Sequence, residues 1–267
     1  MIARTLQAMT DGAKSGELDI IVICNGCSDN TASEARRFAP RVRVIETDVA
    51  SKSHAMNLGD QAAHGFPRIY ADADVVLTVE AIRSLARRLE RGDVLVVAPT
   101  PAFDLAGCSW PVRACYDIRA LLPSAREGIG GSGVYALSAV GRARFQEFPS
   151  LTADDGFVRV QFQSEERETV SSAQSTVFPP RGVKHLIATK TRSHYGSFEL
   201  AKLYPERWSH RGERNLESLI RLFKNPLLWS RLAVYCFVTV VAKYRARRRL
   251  REGVVSWERD QTSRAIA

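Results

Sequence analysis

The first hundred residues alternate short β-branched runs with segments of helical period. A chain satisfies that pattern by laying strands side by side and covering them with helices. Residues 19–24 (DIIVIC), 42–45 (VRVI), 68–70 (RIY) and 94–98 (VLVVA) read as strands. Residues 31–38, 54–64 and 79–91 read as the intervening helices, with Asp29 or Asn30 available to cap the first. In the third, Ile82, Leu85, Ala86 and Leu89 recur at i, i+3, i+4 and i+7. The expectation is an α/β domain with a mainly parallel, mixed sheet flanked by helices. The second half is less regular. Residues 119–127 look helical, 134–137 look like a strand, and the polar stretch 165–175 reads as a loop or an exposed helix.

The chain has 267 residues, 45% hydrophobic and 25% charged, enough for a sizeable core. This mix excludes a disordered chain, a collagen-like chain and a polytopic membrane protein. Five cysteines exclude a disulfide-dense scaffold. No N-terminal apolar run resembles a signal peptide, so a reducing cytoplasmic setting is expected. The net charge of +9 is unevenly spread: 19 Lys and Arg face 22 Asp and Glu up to residue 180, and 19 face 7 beyond it. A basic tail on a neutral-to-acidic domain points to an anionic partner surface.

Residues 226–242 form the most apolar stretch, 17 residues long. As a helix it spans roughly 26 Å, short of a bilayer core of about 30 Å. Arg231 interrupts it, and six cations follow in the nine residues from Lys243 to Arg251. Three readings stand: a helix packed on the domain, an interfacial helix with a polybasic anchor for anionic lipid, and, less favoured, a single membrane span. Few aromatics interleave with the cations, which argues against nucleic acid.

The chemistry-bearing motifs sit at strand ends. Asp72-Ala73-Asp74 follows a strand, where open α/β sheets bind ligands. Two such carboxylates suit Mg²⁺ or Mn²⁺, whose shell phosphates and water complete; a solvated turn is the plainer alternative. Residues 25–31 (NGCSDNT) form a small polar loop opening a helix, able to offer Asn25, Asp29 and backbone N–H groups to a nucleotide. Lys52 heads a segment (KSHAMNLG) from which it could meet a phosphate. Asp154 and Asp155 are adjacent carboxylates beside apolar Phe157 and Val158, a setting that drives two pKa values apart and suits one for general-base work. The plainer alternative is a helix N-terminus. Arg192 and His194 form a third polar cluster; the arginine could neutralise a diphosphate, and the histidine could join a metal shell or lie on the surface.

Two motifs mislead. Gly128, Gly130 and Gly133 spell G-x-G-x-x-G, but a helix-like segment precedes them and a strand follows, the reverse of a dinucleotide site. Cys24 and Cys27 spell C-x-x-C without a second pair at zinc spacing.

In this order the motifs resemble family 2 glycosyltransferases of the GT-A fold, particularly bacterial enzymes of exopolysaccharide and cell-surface glycan synthesis. The matching pieces are residues 25–31, Lys52 with Asn57 and Gly59, Asp72 to Asp74, Gly131-Ser132-Gly133, Asp154-Asp155 and residues 192–196, with residues 257–264 (WERDQTSR) resembling a tail ending. The resemblance implies a Rossmann-like nucleotide-diphospho-sugar transferase domain over 1–200, its nucleotide half 1–100 and its acceptor half 101–200. A helical basic region over 201–267 follows. It implies that Asn25, Asp29, Lys52, Asp72, Asp74 and Arg192 serve the donor, with Asp72 and Asp74 holding the metal and His194 as a further candidate ligand. Asp155 would be the general base with Asp154 supporting it, and Gly131, Ser132 and Gly133 would lie by the acceptor. The implied reaction is inverting transfer from a nucleotide-sugar, UDP-linked by preference, to a glycan or lipid-linked hydroxyl. The implied place is the inner face of the plasma membrane, with the tail on anionic lipid. Relatives open on an apolar strand that this chain lacks, since residues 1–10 resemble the helix that follows it; the expectation is a start downstream of the true one and a vacant inner sheet position. Many relatives also carry Asp where Cys24 stands. Two other functions compete: a silent, membrane-associated partner in polysaccharide assembly, and a nucleotidyltransferase.

Overall fold

The computed structural model describes residues 1–125, 128–211 and 215–253. The chain runs α1 (Ile2–Thr10), β1 (Ile20–Asn25), α2 (Thr31–Arg36), β2 (Val42–Thr47), α3 (Lys52–Ala62), β3 (Arg68–Ala71), β4 (Val76–Leu77), α4 (Val79–Glu90) and β5 (Val96–Phe103). It continues through α5 (Trp110–Ala120), β6 (Val134–Leu137), α6 (Ala139–Arg142), α7 (Asp154–Val160), β7 (Arg167–Val177), α8 (Val183–Leu203), α9 (Leu216–Leu222) and α10 (Trp229–Glu252). The early strands and helices follow the sequence periodicity closely. Thr78 caps α4 by accepting the Ala81 N–H, and the helix buries Ile82, Leu85 and Leu89 along one face.

Five strands form one mixed sheet in the order β3-β6-β5-β7-β4. β6 is antiparallel to β3 and β5, and β7 is parallel to β5, so β3, β5 and β7 all point their C-terminal ends the same way. β1 and β2 form a separate parallel pair. Alternation sorts the core: Val97, Val134 and Ala136 pack towards α4, while Val96, Ala98, Tyr135 and Leu137 pack with Phe157 and Phe162 on the opposite face. A further cluster joins Val112, Cys115 and Tyr116 of α5, Leu186 and Ile187 of α8, and Val238 of α10.

Two local expectations need correction. The polar stretch 165–175 is mostly strand β7, lying between β5 and β4. Its pairing with β5 slips between Pro99 and Thr100, moving from Pro99 opposite Val170 to Thr100 opposite Gln174. Pro99 and Pro101 donate no N–H to the ladder, and Ser171 and Ser172 stay exposed at the slip, which hides the strand's period in the sequence. The helix-like segment 119–127 is instead the end of α5, followed by a 3₁₀ turn at Pro123–Ala125; a proline there cannot extend the helix, and residues 126 and 127 lie outside the described residues. The apolar run and the basic run are one helix, α10, which ends only at Gly253 in the left-handed conformation, φ 65°. Residues 257–264 lie outside the described residues.

Candidate active site

Asp72 continues the β3–β6 ladder by one step, its N–H donating to Gly133 O at 2.8 Å, before the chain turns into β4. The turn is braced from below. The buried Thr5 hydroxyl of α1 lies 2.8 Å from Val75 O and 3.1 Å from Ala73 O. The glycine loop forms the adjoining wall. Gly133 sits at φ 66°, and a Cβ there would stand 2.6 Å from Val75 and 3.3 Å from the Asp72 carboxylate. Only glycine fits so close an approach with that backbone. Ser132 is fully buried, and its hydroxyl lies 2.8 Å from Gly128 O of the loop and 2.6 Å from Val134 O at the start of β6. Gly130 faces the other carboxylate pair, with a notional Cβ 3.7 Å from Asp155 Oδ2. The loop thus runs from Asp72 to Asp155.

Lys52 joins the two acidic motifs. It is the first residue of α3, whose N-cap Ser51 accepts the His54 N–H. Its Nζ donates to Asp72 Oδ1 at 2.6 Å and to Asp154 Oδ1 at 2.9 Å. Burial opposes the ammonium charge, but the Asp72 and Asp154 carboxylates outweigh it and hold the lysine protonated, its pKa above the usual value. Asp155 behaves differently. Burial, then the neighbouring Asp154 charge, pushes its carboxyl up to about 6; Lys52 and the Gly156 N–H, which donates to it at 2.7 Å, pull the other way. Asp154 and Asp155 both lie in the first turn of α7, as the plainer alternative held, and still enter the site.

The polar loop 25–31 is carried to the same end of the molecule. Gly26 N–H donates to Thr47 O at 2.7 Å, and Gly26, at φ 60°, lies so close to Ala50 that a Cβ would stand 2.8 Å from it. Ala50 is two residues before Lys52. Asp29 accepts the Thr31 N–H at the start of α2. Asn57 is structural: its amide donates to Phe148 O and accepts from Phe148 N–H, pinning α3 to the segment before α7. Cys24 is buried, its thiol pushed up to about 11 chiefly by burial, and Cys27 is exposed; both are free thiols.

Arg192 and His194 both lie on α8, Arg192 half-buried. The described contacts of His194 are a stack on Phe198 and the charges of Lys243 and Lys190, and burial with those cations lowers its pKa to about 4. It therefore faces cations, whose charge opposes a metal ion at the same place. Among the described residues no three His, Cys, Asp or Glu side chains gather as a metal site.

Sequence reasoning missed Tyr135. Its hydroxyl is buried without a hydrogen-bond partner, its ring stacks on Tyr70 at 5.1 Å, and burial with the charges of Asp154 and Asp155 raises its pKa. Tyr70 in turn donates to Asp60 at 2.6 Å, and Arg68 and Arg142 donate to the same buried carboxylate at 2.7 and 2.6 Å. This network fixes α3 to β3, hence Lys52 to Asp72. Both tyrosines lie in short strands indistinguishable by sequence from ordinary core.

Residues 1–123 match the family model described as glycosyl transferase family 2. No curated protein matches the sequence. Among solved structures the chain is similar to a mannosyltransferase from Pyrobaculum calidifontis in complex with GDP-Man and Mn²⁺, at 16% identity and a TM-score of 0.56, over 94% of this chain and 70% of that one. It is also similar to glucosyl-3-phosphoglycerate synthase from Mycobacterium tuberculosis in complex with Mn²⁺, UDP-glucose and phosphoglyceric acid, at 18% identity and a TM-score of 0.53, over 75% and 74% of the two chains. At these identities the likeness is one of fold.

Proposed function

The chain is a family 2 glycosyltransferase with a GT-A fold, and from that premise we propose that it transfers a sugar from a nucleotide-diphosphate donor, UDP-linked by preference, to an acceptor hydroxyl with inversion. The observation that carries the reading is the Lys52 ammonium held between Asp72 and Asp154, with Asp155 poised at about 6 beside them. Asp155 takes the acceptor's hydroxyl proton. The freed oxygen pair attacks the anomeric carbon from the face opposite the donor's diphosphate, and the carbon–oxygen bond to the diphosphate breaks with its electron pair leaving on the nucleotide. Lys52 and Arg192 offset the charge of that leaving group. Gly131, Ser132 and Gly133 form the acceptor-side wall, and Asn25 and Asp29 meet the nucleotide.

The acidic residues suit a divalent cation. Asp72 and Asp74 offer hard oxygen ligands, both partly exposed, and a diphosphate and water would supply the rest. Mg²⁺ or Mn²⁺ held there would add positive charge at the donor's diphosphate. Mn²⁺ accompanies the donor or its nucleotide in both similar enzymes.

The acceptor in this reading is lipid-linked or glycan, met at an anionic membrane surface on the cytoplasmic side. The support lies in the C-terminal elements, where Leu216, Ile220, Phe223, Leu227, Trp229, Phe237, Val240 and Tyr244 are exposed. Lys243, Arg245, Arg247 and Arg248 follow on α10, also exposed. Pro226–Glu252 is also long and apolar enough to cross a bilayer, with a mean hydropathy of 1.3 in its best window. Burial of Leu232, Val238, Ala242 and Ala246 against the domain favours a helix lying at the interface.

Calorimetric titration with UDP, GDP and dTDP in the presence of Mn²⁺, on wild type and Asp74→Ala, tests the donor half. Metal-dependent binding of one nucleotide, lost in the variant, is expected. Binding that survives Asp74→Ala unchanged would overturn the assignment.

A further inference from the structure

α8 and α10 run side by side in the same direction. Leu186 and Ile187 share a core cluster with Val238, and further along both helices Phe198 meets Arg247. Ala242 and Ala246, fully buried, are small side chains on the packed face of α10. Along the rim of this seam stand Lys190 and His194 of α8, and Lys243 and Arg247 of α10. Each pair is spaced i, i+4 and so shares a helix face. The Arg247 guanidinium lies 5.4 Å from the Phe198 ring centroid, and the His194 ring stacks on the same phenyl ring at 6.4 Å. The Lys190 ammonium lies 5.8 Å from the Tyr116 ring centroid of α5. His194 feels the charges of both Lys243 and Lys190.

No acid answers these cations. α5, α8 and α10 carry one acid each, and each is engaged elsewhere. Asp117 pairs with Arg231, Glu252 pairs with Arg248, and Glu199 accepts the Thr152 N–H at 2.9 Å. Among the described residues Lys190, Lys243 and Arg247 form no ion pair. Burial, then the charge of Arg119 on α5, pulls the Lys190 ammonium down to about 7, with Cys115 acting the other way. Lys190 and His194 are half-buried while Lys243 and Arg247 are exposed, so the row opens to solvent. An anion seated there would offset the mutual repulsion.

The flank of the seam says which anion. Val240 and Tyr244 are exposed on α10, three residues before Lys243 and Arg247 respectively, so an apolar strip adjoins the cations. That pairing suits a lipid, its phosphate in the seam and its chains along the strip. Three cations without an acid match a terminal phosphate, which carries about two negative charges at pH 7, better than a singly charged phosphodiester. The transfer site lies on the other side of α8. Gly196, two residues past His194, packs on Ala153 just ahead of Asp154, where a Cβ would stand 2.6 Å away.

We propose that the seam between α8 and α10 seats the terminal phosphate of a membrane lipid, with Lys190, Lys243 and Arg247 as its cationic ligands. This rests on the membrane-surface reading of the C-terminal elements and gives that surface a headgroup preference.

The test is cosedimentation of the full chain with phosphatidylcholine vesicles carrying phosphatidic acid or phosphatidylglycerol, matched in surface potential. Wild type should bind the phosphatidic acid vesicles at least about tenfold more tightly. Lys190→Gln and Arg247→Gln should each abolish that preference. Arg245→Gln, which removes a cation from outside the seam, should weaken both vesicles alike and keep it. Lys190→Gln removes a half-buried charge without a counter-charge, so its melting temperature should not fall; Arg247→Gln alters an exposed side chain and carries the test if the first variant fails to fold. Vesicles bound without the preference would overturn the seam and leave the membrane surface standing. A preference that both seam variants keep would overturn it too. Dihexanoyl phosphatidic acid below its micellar concentration, followed by ³¹P line broadening, separates the seam from the membrane reading. Broadening that Arg247→Gln removes would uphold the seam where no vesicle is bound at all. Equal broadening of inorganic phosphate would assign the seat to free phosphate and overturn the lipid.

Discussion

Asp155 carries a conflict that a residue-level experiment can read. Its carboxyl is raised to about 6 because burial and Asp154 oppose its charge. A general base must be unprotonated, so the transfer rate should fall as pH drops through about 6. Lys52 lowers the Asp155 pKa, so in Lys52→Met the acidic limb of the pH–rate profile should move upward; an unmoved limb would count against this coupling. The stability sign is opposite to that of a salt-bridged acid. The folded state binds this proton more tightly than the unfolded chain, so stability falls as pH rises from the ordinary Asp range through 6, and the full penalty is present at pH 7. Asp155→Asn should therefore cut turnover by about 10²–10⁴-fold while raising stability at pH 7 by roughly 1–2 kcal/mol. Loss of both activity and stability would mean that Asp155 is a structural residue. The D-x-D and paired-Asp motifs were legible because their spacing is local. Tyr135 was not, because nothing local distinguishes a tyrosine beside four titratable groups from one in an ordinary strand.

At the scale of elements, the glycine loop decides how close the two acidic motifs come. It leads into β6, which lies inside the sheet between β3 and β5, so the loop has little room to move outward. Gly133→Ala adds a Cβ 2.6 Å from Val75 at a positive φ. Strain of about 1–3 kcal/mol is expected, with a larger loss in activity than in stability, since the displaced neighbour is the Asp72 turn. Gly182→Ala, where no atom lies within 4 Å, is the control and should be near neutral. Calorimetric melting and turnover on both variants check this. The same loop spells a dinucleotide fingerprint in sequence, and its position before a strand was enough to dismiss that reading. β7 shows the opposite case. Its strand character comes from pairing with β5 and β4, and the slip at Pro99 breaks the alternation by which a half-buried strand is recognised.

Across the whole molecule, charge and apolar surface both gather in the last fifty described residues. α10 buries Leu232, Val238, Ala242 and Ala246 and turns Phe237, Val240 and Tyr244 outward, with the cations continuing along the same helix. Neutralising the six cations from Lys243 to Arg251 should release the protein from anionic vesicles at low salt, and raised salt should do the same to wild type. Replacing Phe237, Val240 and Tyr244 by serine should weaken the binding that remains. Cosedimentation with vesicles measures both, and unchanged binding in the charge variant would remove the polybasic anchor from the account.

The sequence by itself determined the order of strands and helices in the first hundred residues, the acidic and lysine motifs, and the charge asymmetry. Each is written in a local pattern: hydrophobic period, residue spacing or composition. Only the tertiary structure decided that Lys52 lies between Asp72 and Asp154, that a polar stretch becomes an inner strand, and that Arg247 of α10 meets Phe198 of α8. Those outcomes depend on residues from twenty to about a hundred positions apart meeting in space. The free energy of such meetings comes from burial and charge pairing that no local window of sequence contains.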